Sequence, residues 1–237
     1  MIKVSRTLVA ATLLLGLTAV IDTTHAQEVR YSWFEFGFMG QDVGKTATSF
    51  DPILNQTVDI TATDGTGIRF RGSLGTWYNV YAYFDFGATD PTSIGLVTND
   101  QGEFPAEDEF DLTSIRGGLG YKYSLTFKTD IIAEISYDSV DYDFGSLAGE
   151  DFDVDEQDIG GLLGVRSMFN DELEFRAHAR YTNVGDVDLT NKAFDSDVLY
   201  GVGLGYTLIR GLSVTVDFET GEIDTWSVGF RLDLDED

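Results

Sequence analysis

The chain has 237 residues and a formal net charge of −26, from 41 acidic and 15 basic side chains, and it contains no cysteine. This charge balance disfavours a nucleic-acid partner, because phosphate binding requires clustered lysine and arginine. The lack of cysteine excludes disulfides, thiol nucleophiles and Cys-ligated metal centres. The acidity fits either cation binding or a well-solvated surface.

The first element along the chain is a signal peptide. Lys3 and Arg6 precede an apolar run over residues 8–21, and a short polar segment then ends at Ala26. This order of charged, apolar and small residues is typical of secretory signals. The run is shorter than the roughly twenty residues of a spanning helix. We therefore expect cleavage after Ala26, with residues 1–26 removed and residues 27–237 forming the mature chain.

From Arg30 onward, successive segments alternate apolar and polar residues with period two, which indicates β-strands. Ten such segments lie near residues 33–38, 68–74, 79–86, 115–122, 131–138, 158–166, 173–181, 198–206, 212–219 and 226–232. Their connections alternate between short turns and long acidic loops over residues 41–65, 88–109, 141–157 and 183–197. Short turns on one rim and long loops on the other are the organisation of an outer-membrane barrel.

A soluble β-sandwich or lipocalin-type barrel is the competing fold. It would turn its apolar phase inward and its charges outward. Here the non-apolar phase carries Arg, Glu and many Gly residues, which suits a polar lumen inside a lipid-facing wall. We predict an all-β fold, an antiparallel up-and-down transmembrane β-barrel of ten strands, with eight as the alternative count.

Several segments also resemble a known group of proteins. The opening residues 31–37, the turn units at residues 75–77 and 169–172, and the closing residues 226–231 are similar to small OmpA/OmpX-like outer-membrane barrels, especially ten-stranded porin-family proteins of Gram-negative bacteria. The similarity covers essentially the whole mature chain. It implies a location in the bacterial outer membrane, contact with outer-membrane lipid and lipopolysaccharide, and insertion by the barrel-assembly machinery. The chain departs from the pattern by continuing past Phe230 to Asp237, which weakens the usual C-terminal aromatic insertion signal.

The lumen-facing phase carries a ladder of charged residues. Its members are Glu35, Arg69, Arg71, Asp85, Arg116, Glu134, Arg166, Glu174, Arg176, His178, Arg180, Asp217 and Arg231. Two interpretations stay open. The charges form a salt-bridged plug, or they line a narrow porin-like channel for small solutes or ions. If the bore has room, Gly203→Ser on this face should be tolerated.

Catalysis is not expected. His178 could act as a general base beside a carboxylate, but its position in mid-strand gives poor access, and no nucleophile-elbow or zinc-binding motif accompanies it. A barrel protease or a lipid A hydrolase is the enzymatic alternative. We predict no catalytic residue and no cofactor.

The acidic loops are the remaining candidate site. Asp151, Asp153 and Asp155 have the spacing that opens a calcium loop, but Glu156 stands where that turn needs glycine. The alternative is a solvated acidic loop. We expect a structural or surface-interaction role in which these loops bind divalent cations or lipopolysaccharide, with the narrow channel as the alternative function.

Overall fold

The computed structural model describes residues 29–51, 56–99, 102–147, 150–188 and 193–234. The predicted signal peptide, residues 1–26, and the last three residues of the chain lie outside these ranges. Within them, no helix has the length and apolar character needed to cross a membrane.

The strands form one antiparallel sheet that closes on itself. They are β1 (Trp33–Asp51), β2 (Gln56–Gly75), β3 (Val80–Asn99), β4 (Gly102–Glu109), β5 (Asp111–Thr126), β6 (Thr129–Leu147), β7 (Glu150–Met168), β8 (Leu173–Asp188), β9 (Ala193–Ile209), β10 (Leu212–Thr220) and β11 (Asp224–Asp233). A 3-10 turn, Trp77–Asn79, joins β2 to β3. Apart from β4 and β5, strands that follow each other along the chain pair side by side, and β11 pairs with β1 to close the barrel.

The wall has ten strands because β4 and β5 are two halves of one strand. Both halves pair with β3 in the same register. Between them the Phe110 N–H donates to the Pro91 carbonyl at 3.1 Å. Pro91 has no N–H with which to return the bond, so the ladder is interrupted at this pair. The predicted fold, a closed up-and-down barrel of ten antiparallel strands, is confirmed.

The connections expected to be long loops are instead mostly β-ribbons. The hairpin ladders run on to Ser146–Asp151 and Leu147–Glu150 in β6–β7, and the other long hairpins extend in the same way. The alternation pattern predicts that each strand ends where its apolar phase ends. Hydrogen bonding to the hairpin partner continues beyond that point, because the ladder does not depend on apolar side chains. We call this rim the long-hairpin end and the opposite rim the short-turn end.

The two faces of the wall differ in chemistry. Large apolar side chains of the outward phase are exposed, with Phe38 at 66%, Leu163 at 63% and Ile135 at 60%. Charged side chains of the inward phase are buried, with Glu174 at 2% and Glu35 at 4% exposed. An apolar exterior around a polar interior is the arrangement of a transmembrane barrel and the reverse of a soluble one.

Candidate functional site

The candidate site is the barrel lumen, where the polar phase of the strands converges. The structure places the charge ladder on this inner face, buried or partly buried: Glu35 on β1, Arg69 and Arg71 on β2, Asp85 on β3, Arg116 on β5, Glu134 on β6, Arg166 on β7, Glu174, Arg176, His178 and Arg180 on β8, Asp217 on β10 and Arg231 on β11. Strand alternation brings these residues together, because every second side chain points to the same face.

Arg71 is the centre of an ion-pair chain that crosses the lumen. Its guanidinium donates to Glu35, and also to Asp217 at 2.5 Å. Arg176 approaches the other oxygen of Asp217 at 3.2 Å. Its Nε also lies 3.6 Å from Glu174. The chain therefore connects β1 and β2 with β10 and β8 through the interior of the barrel.

Glu174 joins two further arginines to this chain. Arg166 Nη2 donates to both oxygens of Glu174, at 3.0 and 3.1 Å, and Arg231 Nη2 donates at 3.0 Å. Arg231 Nε in turn lies 3.1 Å from Asp233. Charge-assisted bonds of this kind are stronger than neutral ones, and Arg fixes its partners geometrically. The network from Glu35 to Asp233 is therefore fixed by contacts between several arginines and carboxylates.

A second ion-pair group is built on Asp85. Arg69 donates to it twice, from Nε at 2.9 Å and from Nη2 at 2.5 Å. Arg116 Nη2 stands farther away, at 3.6 Å. The Asp85 carboxylate is therefore fully engaged by Arg69 and only loosely by Arg116.

The third group contains the single histidine of the ladder. His178 Nε2 lies 2.8 Å from Glu219 Oε2, while Arg180 donates to the other Glu219 oxygen at 2.6 Å. Arg180 Nη1 also lies 3.6 Å from Asp138. The carboxylate beside His178 is thus shared with an arginine in an ion pair and belongs to the lumen network.

Glycines provide the space that these groups occupy. A Cβ on Gly201 would overlap the His178 ring, and a Cβ on Gly203 would overlap Asp217 Oδ1. Serine at Gly203 therefore fits only if the Asp217 side chain shifts, so the prediction that it is tolerated depends on that movement. The alternation pattern identifies the inner face, but it does not show how much of the bore the paired side chains fill.

The segment before β1 closes the short-turn end. Tyr31 is 6% exposed and lies between two cations, with Lys122 Nζ 4.7 Å and the Arg166 guanidinium carbon 4.6 Å from its ring centre. Its hydroxyl donates to Asp130 at 3.0 Å, and its ring lies 4.8 Å from that of Tyr81. An aromatic ring therefore fills the bore on this side of the ion pairs.

Apolar side chains line the lumen toward the long-hairpin end. Those that are buried there include Met39, Val43, Leu112, Tyr142, Val184 and Leu199. A cavity of about 110 Å³ lies between them and the ion pairs. A second cavity of about 100 Å³ lies toward the short-turn end, and Asp85 and Arg116 contribute to both. Asp85 and Arg116 therefore lie between these two small spaces.

Aspartates lie on the outside of seven of the ten wall strands, where the apolar band ends at the long-hairpin side. We call this set the outer acidic rim; it comprises Asp42, Asp64, Asp90, Asp111, Asp141, Asp143, Asp155 and Asp224. Several of them are direct cross-strand partners, as Asp42 is of Asp64 and Asp111 of Asp143. Like charges at such positions oppose strand pairing. Partial burial, together with the facing Asp64 carboxylate, raises the pKa of Asp42.

The calcium-loop interpretation does not fit the local backbone. Asp151, Asp153, Asp155 and Glu156 all lie within β7, which is an extended strand. Alternation sends the exposed side chains of Asp155 and Glu156 to opposite faces, and the side chains of Asp151 and Asp153 lie outside what the structure describes. Across the described ranges, no group of three His, Cys, Asp or Glu residues is arranged to hold a metal ion.

Sequence reasoning did not identify the aromatic closure of the bore. Tyr81 falls on the polar phase of β3, and its hydroxyl donates to Glu134 at 2.8 Å. An aromatic residue on an otherwise polar phase is a usable signal. Tyr31 precedes the first strand, where alternation gives no information about its direction.

No protein-family model and no curated protein matches the chain. Among solved structures, it is similar to the outer membrane protein OprG from Pseudomonas aeruginosa, with 12% identity, TM-score 0.46, and coverage of 90% of this chain and 100% of that one. The translocator domain of the autotransporter NalP from Neisseria meningitidis has 13% identity, TM-score 0.47, and coverage of 96% and 97%. Neisserial surface protein A has 14% identity, TM-score 0.41, and coverage of 85% and 96%. At identities this low and TM-scores below 0.5, the role of this chain has to be inferred from its own lumen and surface.

Proposed function

We propose that this protein is a bacterial outer-membrane barrel with a closed bore, and that its role is structural and surface-interacting rather than transporting. The observation that carries the proposal is the ion-pair chain through Arg71 and Glu174, which crosses the lumen above the ring of Tyr31. A permeating ion would have to displace arginines from buried carboxylates, and breaking such pairs is costly.

Conductance tests the closed bore. The purified mature protein, inserted in planar bilayers, should give no stepwise current above the lipid background. Insertion should be checked separately by the heat-modifiable mobility of the folded barrel in detergent gels. Stepwise currents from folded protein would favour the alternative, a narrow channel that uses the two lumen cavities.

The outer acidic rim supports a contact with lipopolysaccharide through divalent cations. Carboxylates that oppose each other across strands, as Asp42 and Asp64 do, repel unless a cation lies between them. Carboxylate oxygens are the preferred ligands of Mg²⁺ and Ca²⁺. The rim also adjoins the apolar band, at the level where phosphate-bearing headgroups would meet an inserted barrel.

Binding of the reconstituted barrel to lipopolysaccharide should therefore require Mg²⁺ and be reversed by a chelator. The double variant Asp42→Asn with Asp64→Asn should weaken this Mg²⁺-dependent binding. A matched control is Asp171→Asn, an exposed aspartate at the short-turn end. Binding that is indifferent to Mg²⁺, or equally reduced by the control, would contradict this part of the proposal.

Cell fractionation tests the proposed location, and protease accessibility tests the orientation. The protein should fractionate with outer membrane, after cleavage near Ala26 and insertion by the assembly machinery. Protease added to intact cells should cut the long hairpins and spare the short turns, such as the one at Asn170. Recovery as a soluble periplasmic protein would overturn the placement.

A further inference from the structure

The cavity at the long-hairpin side of the ion pairs has a charged floor and apolar walls. Its floor carries three arginines and three carboxylates: Arg69, Arg116, Arg180, Asp85, Asp138 and Glu219. These formal charges cancel. An ion of either sign would therefore leave the cavity with an uncompensated charge, whereas a neutral molecule would not.

Two of the three arginines on this floor already have complete partners. Arg69 donates twice to Asp85, at 2.9 and 2.5 Å. Arg180 donates twice to Glu219, at 2.6 and 3.3 Å. These four groups are committed to each other and leave one arginine and one carboxylate.

The remaining pair, Arg116 and Asp138, is only half satisfied. The two residues are cross-strand partners on β5 and β6. Their ion-pair contacts, to Asp85 and to Arg180 respectively, are both 3.6 Å long and exceed hydrogen-bonding distance. In the described part of the chain, Arg116 Nε and both Asp138 oxygens are buried without a hydrogen-bond partner. The Asp138 side chain is 4% exposed, so the unmet acceptor is deeply buried.

We propose that this cavity binds a small zwitterion, a molecule with a protonated amine, a carboxylate and a short apolar side chain. The amine donates to Asp138, and the carboxylate accepts from Arg116. The apolar part packs against Leu112, Tyr142 and Leu199, which line the same cavity. Such a ligand completes both unmet groups and adds no net charge. The site lies on the long-hairpin side of the ion pairs, so it can fill whether or not the bore conducts.

Calorimetric titration of the folded mature barrel in detergent micelles tests the proposal, with 2-aminobutyrate as the probe. Butyrate lacks the amine and propylamine lacks the carboxylate. We expect saturable binding of 2-aminobutyrate. Each of the two half-probes should bind more weakly by roughly tenfold or more, because each loses one charge-assisted hydrogen bond. Absence of saturable binding would show that the cavity holds solvent only and would overturn the proposal.

Variants assign the binding to the cavity floor. Asp138→Asn and Arg116→Gln should each weaken binding of 2-aminobutyrate by roughly tenfold or more. Asp130→Asn is the matched control, because Asp130 is a buried carboxylate on the same strand that lines neither cavity. Heat-modifiable mobility establishes that each variant is folded. An equal loss in the control, or equally strong binding of butyrate and propylamine, would contradict the proposed site.

Discussion

Glu174 is the residue whose loss should disturb the lumen most. It is 2% exposed and accepts hydrogen bonds from Arg166 and Arg231, which are themselves 5% and 4% exposed. Glu174→Gln keeps the volume but removes the charge, so two buried guanidinium groups lose their shared anion. Breaking a buried ion pair by removing one partner costs about 3–5 kcal/mol. We expect the free energy of unfolding to fall by about that amount.

Equilibrium urea unfolding from lipid vesicles, followed by tryptophan fluorescence, measures this change. Glu156→Gln is the matched control, since Glu156 is exposed on β7. An exposed charge of this kind contributes below about 1 kcal/mol. A loss for Glu174→Gln as small as that of the control would refute the reasoning, because it would mean that the lumen is solvated well enough to replace the missing anion.

Three further predictions concern the wall, the bore and the rim. Leu204→Arg puts a charge on the outward face, where Leu204 is 49% exposed. Near the bilayer midplane, this charge should lower the free energy of unfolding by roughly 2–4 kcal/mol in the same assay. An unchanged midpoint would mean that this face meets water. Gly203→Ser should lower the urea midpoint, because its Cβ would displace Asp217; no change would show that the ion pairs can shift to make room. Asp42 has a raised pKa in the folded protein, so its ionisation at neutral pH destabilises the fold, and this cost disappears as the pH falls through the folded pKa. Asp42→Asn should therefore raise the unfolding midpoint at neutral pH and lose that advantage below about pH 4; an equal effect at both pH values would contradict the assignment.

The inner and outer faces of the wall could be predicted from sequence, because alternation alone fixes which side each residue takes. Arg71, Arg176 and Asp217 are each readable as lumen residues in this way. That Arg71 meets Asp217, a residue far away in the chain, could not be predicted, since it depends on strand tilt and stagger around the closed barrel. The role of Tyr31 could not be predicted either, because alternation gives no side-chain direction for a residue outside the strands.

The length of the strands was likewise beyond the sequence pattern. Asp141 and Asp155 were assigned to a loop, yet they are cross-strand partners in the β6–β7 ribbon. Acidic residues have low strand propensity, and this made the ribbon look irregular. The hairpin ladder overrides the propensity, because each added pair satisfies backbone groups that the preceding pair has already brought together.

Which face of the wall meets lipid decides both the membrane placement and the closed, polar bore. Trp226 is 46% exposed on the outward face, whereas Trp33 points into the lumen, with the Arg231 guanidinium carbon 5.9 Å from its ring centre. In single-tryptophan variants reconstituted in vesicles with brominated acyl chains, Trp226 fluorescence should be strongly quenched and Trp33 fluorescence should not. Quenching of Trp33 by the brominated lipid, with Trp226 quenched instead by an aqueous quencher, would contradict the assignment of the two faces.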